Sequence, residues 1–159
     1  MKVIFLDIDG VLNSEKFLEN NQDEAIDRNS VSILKTIIDK TGAVIVMSSA
    51  WRLWFDDNMM PKEGYSQCLY DILREFDIKL FGKTPDFSTE EIRINKTFSY
   101  VKAKEIIAWL NENKIVDKYV VIDDLDLKNK DISEQLVIIN GQVGITEEDA
   151  ERIIYIINN

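Results

Sequence analysis

Five short segments of the chain are almost purely apolar: Lys2–Leu6, Ala43–Met47, Ile78–Phe81, Lys118–Ile122 and Leu136–Ile139. Runs of this length without alternation predict strands buried on both faces, the kind that occur in parallel sheets. Ile78–Phe81 carries the weakest signal, because Lys79 interrupts it.

Helical periodicity fills the gaps between them. Val31, Leu34, Ile37 and Ile38 share one face, with Asn29 and Ser30 as caps before them and Gly42 as the left-handed stop after them. Leu69, Ile72, Leu73 and Phe76 repeat at i, i+3, i+4 and i+7, as do Ala103, Ile106, Ile107 and Leu110. A last helix carries Ala150, Ile153, Ile154 and Ile157 and opens on Thr146-Glu-Glu-Asp149, a capping-box pattern. The order β-α-β-α-β-α-β-β-α predicts an α/β fold. It is a Rossmann-like three-layer α/β/α sandwich around a central parallel sheet of about five strands. Residues 1–159 are read as a single domain. Two stretches, 13–28 and 82–98, are long for structureless loops. The first is read as a small flap insert and the second as a substrate-side loop.

Composition removes whole classes of chemistry. The chain has no histidine, so Ser-His-Asp, Cys-His and His-metal mechanisms are excluded, and acid–base work falls to carboxylates, Lys, Tyr or metal-bound water. The net charge of -10 disfavours an extensive nucleic-acid-binding surface, which needs a basic face. Cys68 stands alone, makes no internal disulfide and is expected to be a buried small hydrophobe. The apolar run from Val3 to Leu6 is too short for a signal peptide, and no segment reaches membrane-spanning length. The expected setting is cytoplasmic, without a membrane partner.

In open parallel sheets, ligands bind beyond the carboxyl ends of the strands. Asp7 and Asp9 follow the first run, Ser48 and Ser49 the second, and Asp123 and Asp124 the run at 118–122, while Lys102 begins the preceding helix. Clustered carboxylates require a cation, and hard oxygen donors select Mg2+. A hydroxyl and an ammonium opposite such an ion complete a cage for a phosphoryl group. Asp-x-Asp-Gly also suits a solvated turn or half of a calcium loop, but position 12 of that loop is Leu18, not the required Glu.

Phe5-Leu-Asp-Ile-Asp-Gly-Val-Leu-Asn13 resembles the first motif of the haloacid dehalogenase (HAD) superfamily. Val46-Met-Ser-Ser-Ala-Trp-Arg52 is similar to its second motif, Lys102 to its third and Val121-Ile-Asp-Asp124 to its fourth. Together with Glu105–Leu110 and Gly144-Ile-Thr146, these resemble a small single-domain subgroup with a minimal cap, related to the phosphatase parts of RNA-repair proteins. The resemblance implies a Mg2+-dependent phosphohydrolase. In it Asp7 attacks phosphorus to give an aspartyl-phosphate and Asp9 serves as general acid and base. Ser48 or Ser49 and Lys102 bind the phosphoryl group, while the Asp7 carboxylate, the Asp9 main-chain carbonyl, Asp123 and Asp124 bind the metal. Asp9 argues against dehalogenation, since dehalogenases lack the second Asp. Ser49 is preferred over Ser48, and Lys102 over Lys104 because it lies nearer the helix start. Asn13, Trp51 and Arg52 are candidate substrate contacts, with packing or a surface ion pair as the plainer roles for Trp51 and Arg52.

The expected partner is a phosphorylated substrate in an open cleft: a nucleotide, a phosphorylated nucleic-acid end or another phosphomonoester. The alternative is a non-enzymatic phospho-accepting regulatory or phosphate-binding domain. Against a receiver-type domain, the third apolar run ends in Phe81-Gly-Lys83, with no Asp to accept the group.

Overall fold

The five apolar runs become strands β1 (Lys2–Leu6), β2 (Val44–Met47), β3 (Leu80–Lys83), β4 (Lys118–Asp123) and β5 (Leu136–Ile138). The structure, a computed structural model, describes residues 1–159. All strand pairs are parallel and the order is β3-β2-β1-β4-β5. From β1 the chain winds outward to β3, then crosses back to β4 on the other side of β1. The carboxyl ends of β1 and β4 therefore flank the point where the winding reverses, which is where an open sheet of this kind leaves a crevice.

The helices are α1 (Glu15–Asn20), α2 (Arg28–Thr41), α3 (Gly64–Glu75), α4 (Glu90–Asn95), α5 (Phe98–Glu112) and α6 (Glu147–Asn158), with a 3-10 turn at Ala50–Trp54. Strand side chains alternate between two layers. Ile4, Leu6, Ile45, Met47, Val120 and Ile122 pack with α2, α3 and α6 on one face. Val3, Phe5, Val46 and Val121 pack with Ala103, Ile106 and Trp109 of α5 on the other. The fold is thus the Rossmann-like α/β arrangement expected, with helices on both faces. Phe5 meets Trp109 edge to face at 5.4 Å, an aromatic contact worth about 0.5–1.5 kcal/mol beyond its burial.

Local chemistry sets the element ends and differs from the sequence reading in places. The cap of α2 is Asp27, whose carboxylate accepts from the Asn29 backbone N–H at 2.9 Å; Asn29 and Ser30 lie inside the helix. Gly42 ends α2 with φ +67 and donates its N–H to the Ile38 carbonyl, and Thr146 and Asp149 form a reciprocal capping box on α6. β3 begins later than the apolar run because the Ile78 N–H is spent on the Leu73 carbonyl, closing α3, and Ile78 enters the core instead. The stretches 13–28 and 82–98 each contain a six-residue helix, α1 and α4, with no buried residue in either, and Gly82 and Lys83 belong to β3. Cys68 is exposed, contrary to expectation, because α3 turns Ser66, Leu69, Ile72 and Leu73 inward and carries Cys68 outward. No helix is long and apolar enough to cross a membrane.

Candidate active site

The parallel ladder runs one residue past β1, since the Asp7 N–H donates to the Ile122 carbonyl at 2.9 Å. This fixes the Asp7 backbone beside the end of β4. Its buried carboxylate faces Lys102 of α5 at 3.1 Å, and the same ammonium donates to Asp123 Oδ2 at 2.8 Å. Asp123 Oδ1 accepts from the Leu125 N–H at 3.0 Å, so both oxygens of this fully buried carboxylate are engaged. Lys104 is exposed, so Lys102 is the lysine that reaches the carboxylates. Burial alone would lower the Lys102 ammonium, but the charges of Asp7 and Asp123 outweigh it and raise it above the ordinary lysine range. Burial and the neighbouring Asp7 push Asp123 up to about 7 against the opposing pull of Lys102. Burial and Asp7 also raise Asp124.

The two aspartates ending β4 point differently. Asp123 turns under the sheet edge to Lys102, whereas Asp124 lines the cleft with Asp7 and Asp9. Two glycines make room for it. A Cβ on Gly10 would lie 2.4 Å from Asp124 Oδ2, and one on Gly141 would lie 2.9 Å from the same atom. Gly10 also has φ +75, a conformation that L side chains rarely adopt, so the glycine of Asp-x-Asp-Gly is required twice over. One carboxylate oxygen from each of Asp7, Asp123 and Asp124 falls within a set no more than 4.8 Å apart. Three carboxylates against one ammonium leave an excess of negative charge, and an all-oxygen donor set of this kind fits Mg2+.

The second motif folds as a strand end running into a tight turn. The Ser48 N–H extends the β2 side of the ladder to the Leu6 carbonyl, leaving Ser48 Oγ buried without a partner. Ser49 lines the cleft and caps the 3-10 turn, its Oγ accepting from the Trp51 N–H at 3.3 Å. The residues expected as substrate contacts are buried and held by protein groups. Trp51 Nε1 donates to Asp9 at 3.1 Å and Asn13 Nδ2 donates to Asp9 Oδ1 at 3.0 Å. Arg52 pairs with the buried Glu105 at 2.9 Å and donates to the Ser49 carbonyl at 2.9 Å and the Pro85 carbonyl at 3.3 Å. Its shorter ion pair is thus to an interior carboxylate, with the partly exposed Asp86 farther off at 3.6 Å, and Arg52 itself lines the cleft.

Glu105 and Asp86 were not singled out from sequence. Glu105 accepts from the Phe87 N–H at 2.8 Å, and Asp86 joins Arg52 at 3.6 Å to Arg93 at 3.0 Å. The available signal was Glu105 itself, a charged residue between the apolar Ala103 and Ile106 and one turn beyond Lys102. The cleft has a volume of about 490 Å³. Asp7, Asp9, Ser49, Lys102 and Asp124 line one part of it, Leu53, Phe98, Val101 and Leu125 form apolar walls, and Arg52, Asp86, Ser88, Arg93 and Glu105 complete its polar lining.

No curated protein and no solved structure matches the chain. One family model does, over residues 3–150, a span that takes in all four motif positions and every strand except the first residue of β1. The chain belongs to the family described as the HAD domain in Swiss Army Knife RNA repair proteins.

Proposed function

We propose that the protein is a Mg2+-dependent phosphomonoesterase with Asp7 as nucleophile and Asp9 as general acid and base. The observation that carries this is the placement of Asp7, buried at the sheet's switch point, 3.1 Å from Lys102 and open to a cleft shared with Asp9, Ser49 and Asp124. An anionic nucleophile attacking an anionic ester needs compensating charge around the transferred group. Lys102 supplies one such charge and Ser49 Oγ a neutral hydrogen bond. Asp7, Asp123 and Asp124 would hold Mg2+, which when bound would offset the negative charge of the phosphoryl oxygens and the carboxylates.

In the first step an Asp7 carboxylate oxygen bonds to phosphorus as the bond to the ester oxygen breaks. The proton on Asp9 passes to that oxygen and the alcohol leaves. In the second step Asp9 takes a proton from water, whose oxygen bonds to phosphorus as the Asp7 acyl-phosphate bond breaks, releasing inorganic phosphate. Splitting the displacement in this way replaces one high barrier with two lower ones.

The substrate reading follows from the walls of the site. Beside the phosphoryl position, Leu53, Phe98 and Leu125 offer apolar area and Asp86, Ser88 and Arg93 offer polar groups, a combination that suits a nucleoside. The family's link to RNA repair adds weight to a nucleotide or a phosphorylated nucleic-acid end, while the net charge of -10 favours contact with only a few phosphates. The segments 13–28 and 82–98 would act as flap and substrate-side loop around this opening. Hydrolysis of an aryl phosphate, measured with Mg2+, with EDTA and in Asp7→Asn, tests the chemistry. Turnover lost in both controls supports it, and turnover that survives Asp7→Asn overturns it. A panel running from free nucleotides to 3′- and 5′-phosphorylated oligonucleotides then ranks the substrates.

A further inference from the structure

Asp9 is an exposed residue at the start of a turn, yet its carboxylate is held by two donors. Trp51 Nε1 donates to both of its oxygens, at 3.1 Å each, and Asn13 Nδ2 donates to Oδ1 at 3.0 Å. Both donors are themselves locked. Trp51 is 6% exposed and packs edge to face on Trp54 at 5.2 Å, and Asn13 is 4% exposed. Asn13 also uses the other end of its amide, Oδ1 accepting from the Gly10 N–H at 3.1 Å. An amide accepts from that N–H and donates to the carboxylate at once.

Resting on the phosphatase reading above, we infer that Trp51 and Asn13 are positioning residues for proton transfer by Asp9. They hold the carboxylate in one rotamer over the cleft. Oδ1 receives two donors and Oδ2 one, so Oδ2 is the oxygen left with room to exchange a proton with the ester oxygen and, later, with water. An exposed carboxylate without these contacts samples several rotamers, and the loss of orientation falls on the step that needs the proton.

That selectivity makes the inference testable. Protonation matters most when the departing alkoxide is a poor leaving group and least when it is a stabilised phenolate. Trp51→Phe keeps an aromatic ring against Trp54 and removes the N–H. It should lower kcat/KM, which reports the step that expels the alcohol and not the later hydrolysis of the shared Asp7 intermediate, by on the order of 10- to 100-fold on an alkyl phosphate and by less than about 3-fold on an activated aryl phosphate. Asn13→Ala, which leaves the Gly10 N–H its backbone contact to the Asn13 carbonyl, should follow the same pattern. In an Asp9→Asn background, Trp51→Phe should cost under about 2-fold more, because both changes remove one function.

Losses in kcat/KM that are equal on both esters, or fully additive to Asp9→Asn, would overturn the inference and leave the phosphatase reading intact. Absence of any Asp7-dependent turnover in the wild type would overturn both. A second readout needs no catalysis. The Trp51 Nε1–H resonance, identified by its absence in Trp51→Phe, should move in Asp9→Asn and stay in place in Asp57→Asn, a change at an exposed position. A resonance indifferent to Asp9 would show that the contact is not made.

Discussion

Two buried ion clusters sit one turn apart on α5 and have opposite characters. Around Lys102, one ammonium faces Asp7 and Asp123 directly, with Asp124 close by. Around Glu105, one carboxylate meets the Arg52 guanidinium, and Asp86 and Arg93 continue the alternation of sign outward. The first cluster carries more negative charge than its cation offsets and opens on the cleft. The second lines the same cleft but is nearly balanced, and it joins the Ser48–Ser49 carbonyls, the Pro85–Phe87 segment and α5. Excess charge at a cleft calls for a cation and an anionic ligand, whereas matched charge between elements holds backbone in place. Both clusters line one cleft, and it is the balance of charge that distinguishes them.

The largest effect should come from the unbalanced cluster. Asp7→Asn should cost on the order of 10⁴-fold in kcat on an aryl phosphate. Its melting temperature should stay level or rise, because one excess charge is gone. A steep fall in stability instead would assign Asp7 to the architectural side.

The balanced cluster should respond the other way round. Glu105→Leu strands a buried guanidinium and should lose about 3–5 kcal/mol in urea unfolding, whereas Arg52→Met with Glu105→Leu should recover most of that loss. A double variant as weak as the single one would mean that the Arg52 contacts to carbonyls, not the ion pair, hold the segment.

Metal sharpens the distinction. At 100 times its Kd, Mg2+ should add about 2.7 kcal/mol to the wild type, roughly 5–11 °C in melting temperature for a domain of this size. Asp124→Asn should abolish the shift. A shift that persists in Asp124→Asn would move the metal away from the Gly10–Gly141 cradle.

The smallest effect is on pH dependence. In EDTA, Asp123 titrates higher in the folded chain, at about 7, than its ordinary 3.8, because of burial and then Asp7. The folded state then binds more protons than the unfolded one between these values, so this group's contribution to stability falls as pH rises from about 4 through about 7. The stability difference between wild type and Asp123→Asn should decline across that window. A difference flat with pH would show Lys102 fully compensating Asp123.

Much of this was readable residue by residue. Val3, Phe5 and Ile4, Leu6 alternate between two buried layers, which is why the run shows no polar positions and announces a parallel strand. Gly42 and Thr146–Asp149 act locally, so their caps followed from composition alone. The misreadings share one cause, competition between neighbours a few residues apart. Asp27 took the cap from Asn29 and Ser30, Ile78 closed α3 instead of opening β3, and the phase of α3 turned Cys68 outward.

The chain of residues by itself determined the strand order of chemistry: which carboxylates, hydroxyls and ammonium stand at strand and helix ends, because periodicity and capping are short-range. Which member of each pair faces the cleft was decided only in three dimensions. Asp124 over Asp123, Ser49 over Ser48, and the binding of Trp51 and Asn13 to Asp9 and of Arg52 to Glu105 depend on the approach of β1, β4, α5 and the Ser49 turn, and adjacent residues in sequence carry no record of distances between segments that meet only after the sheet has closed.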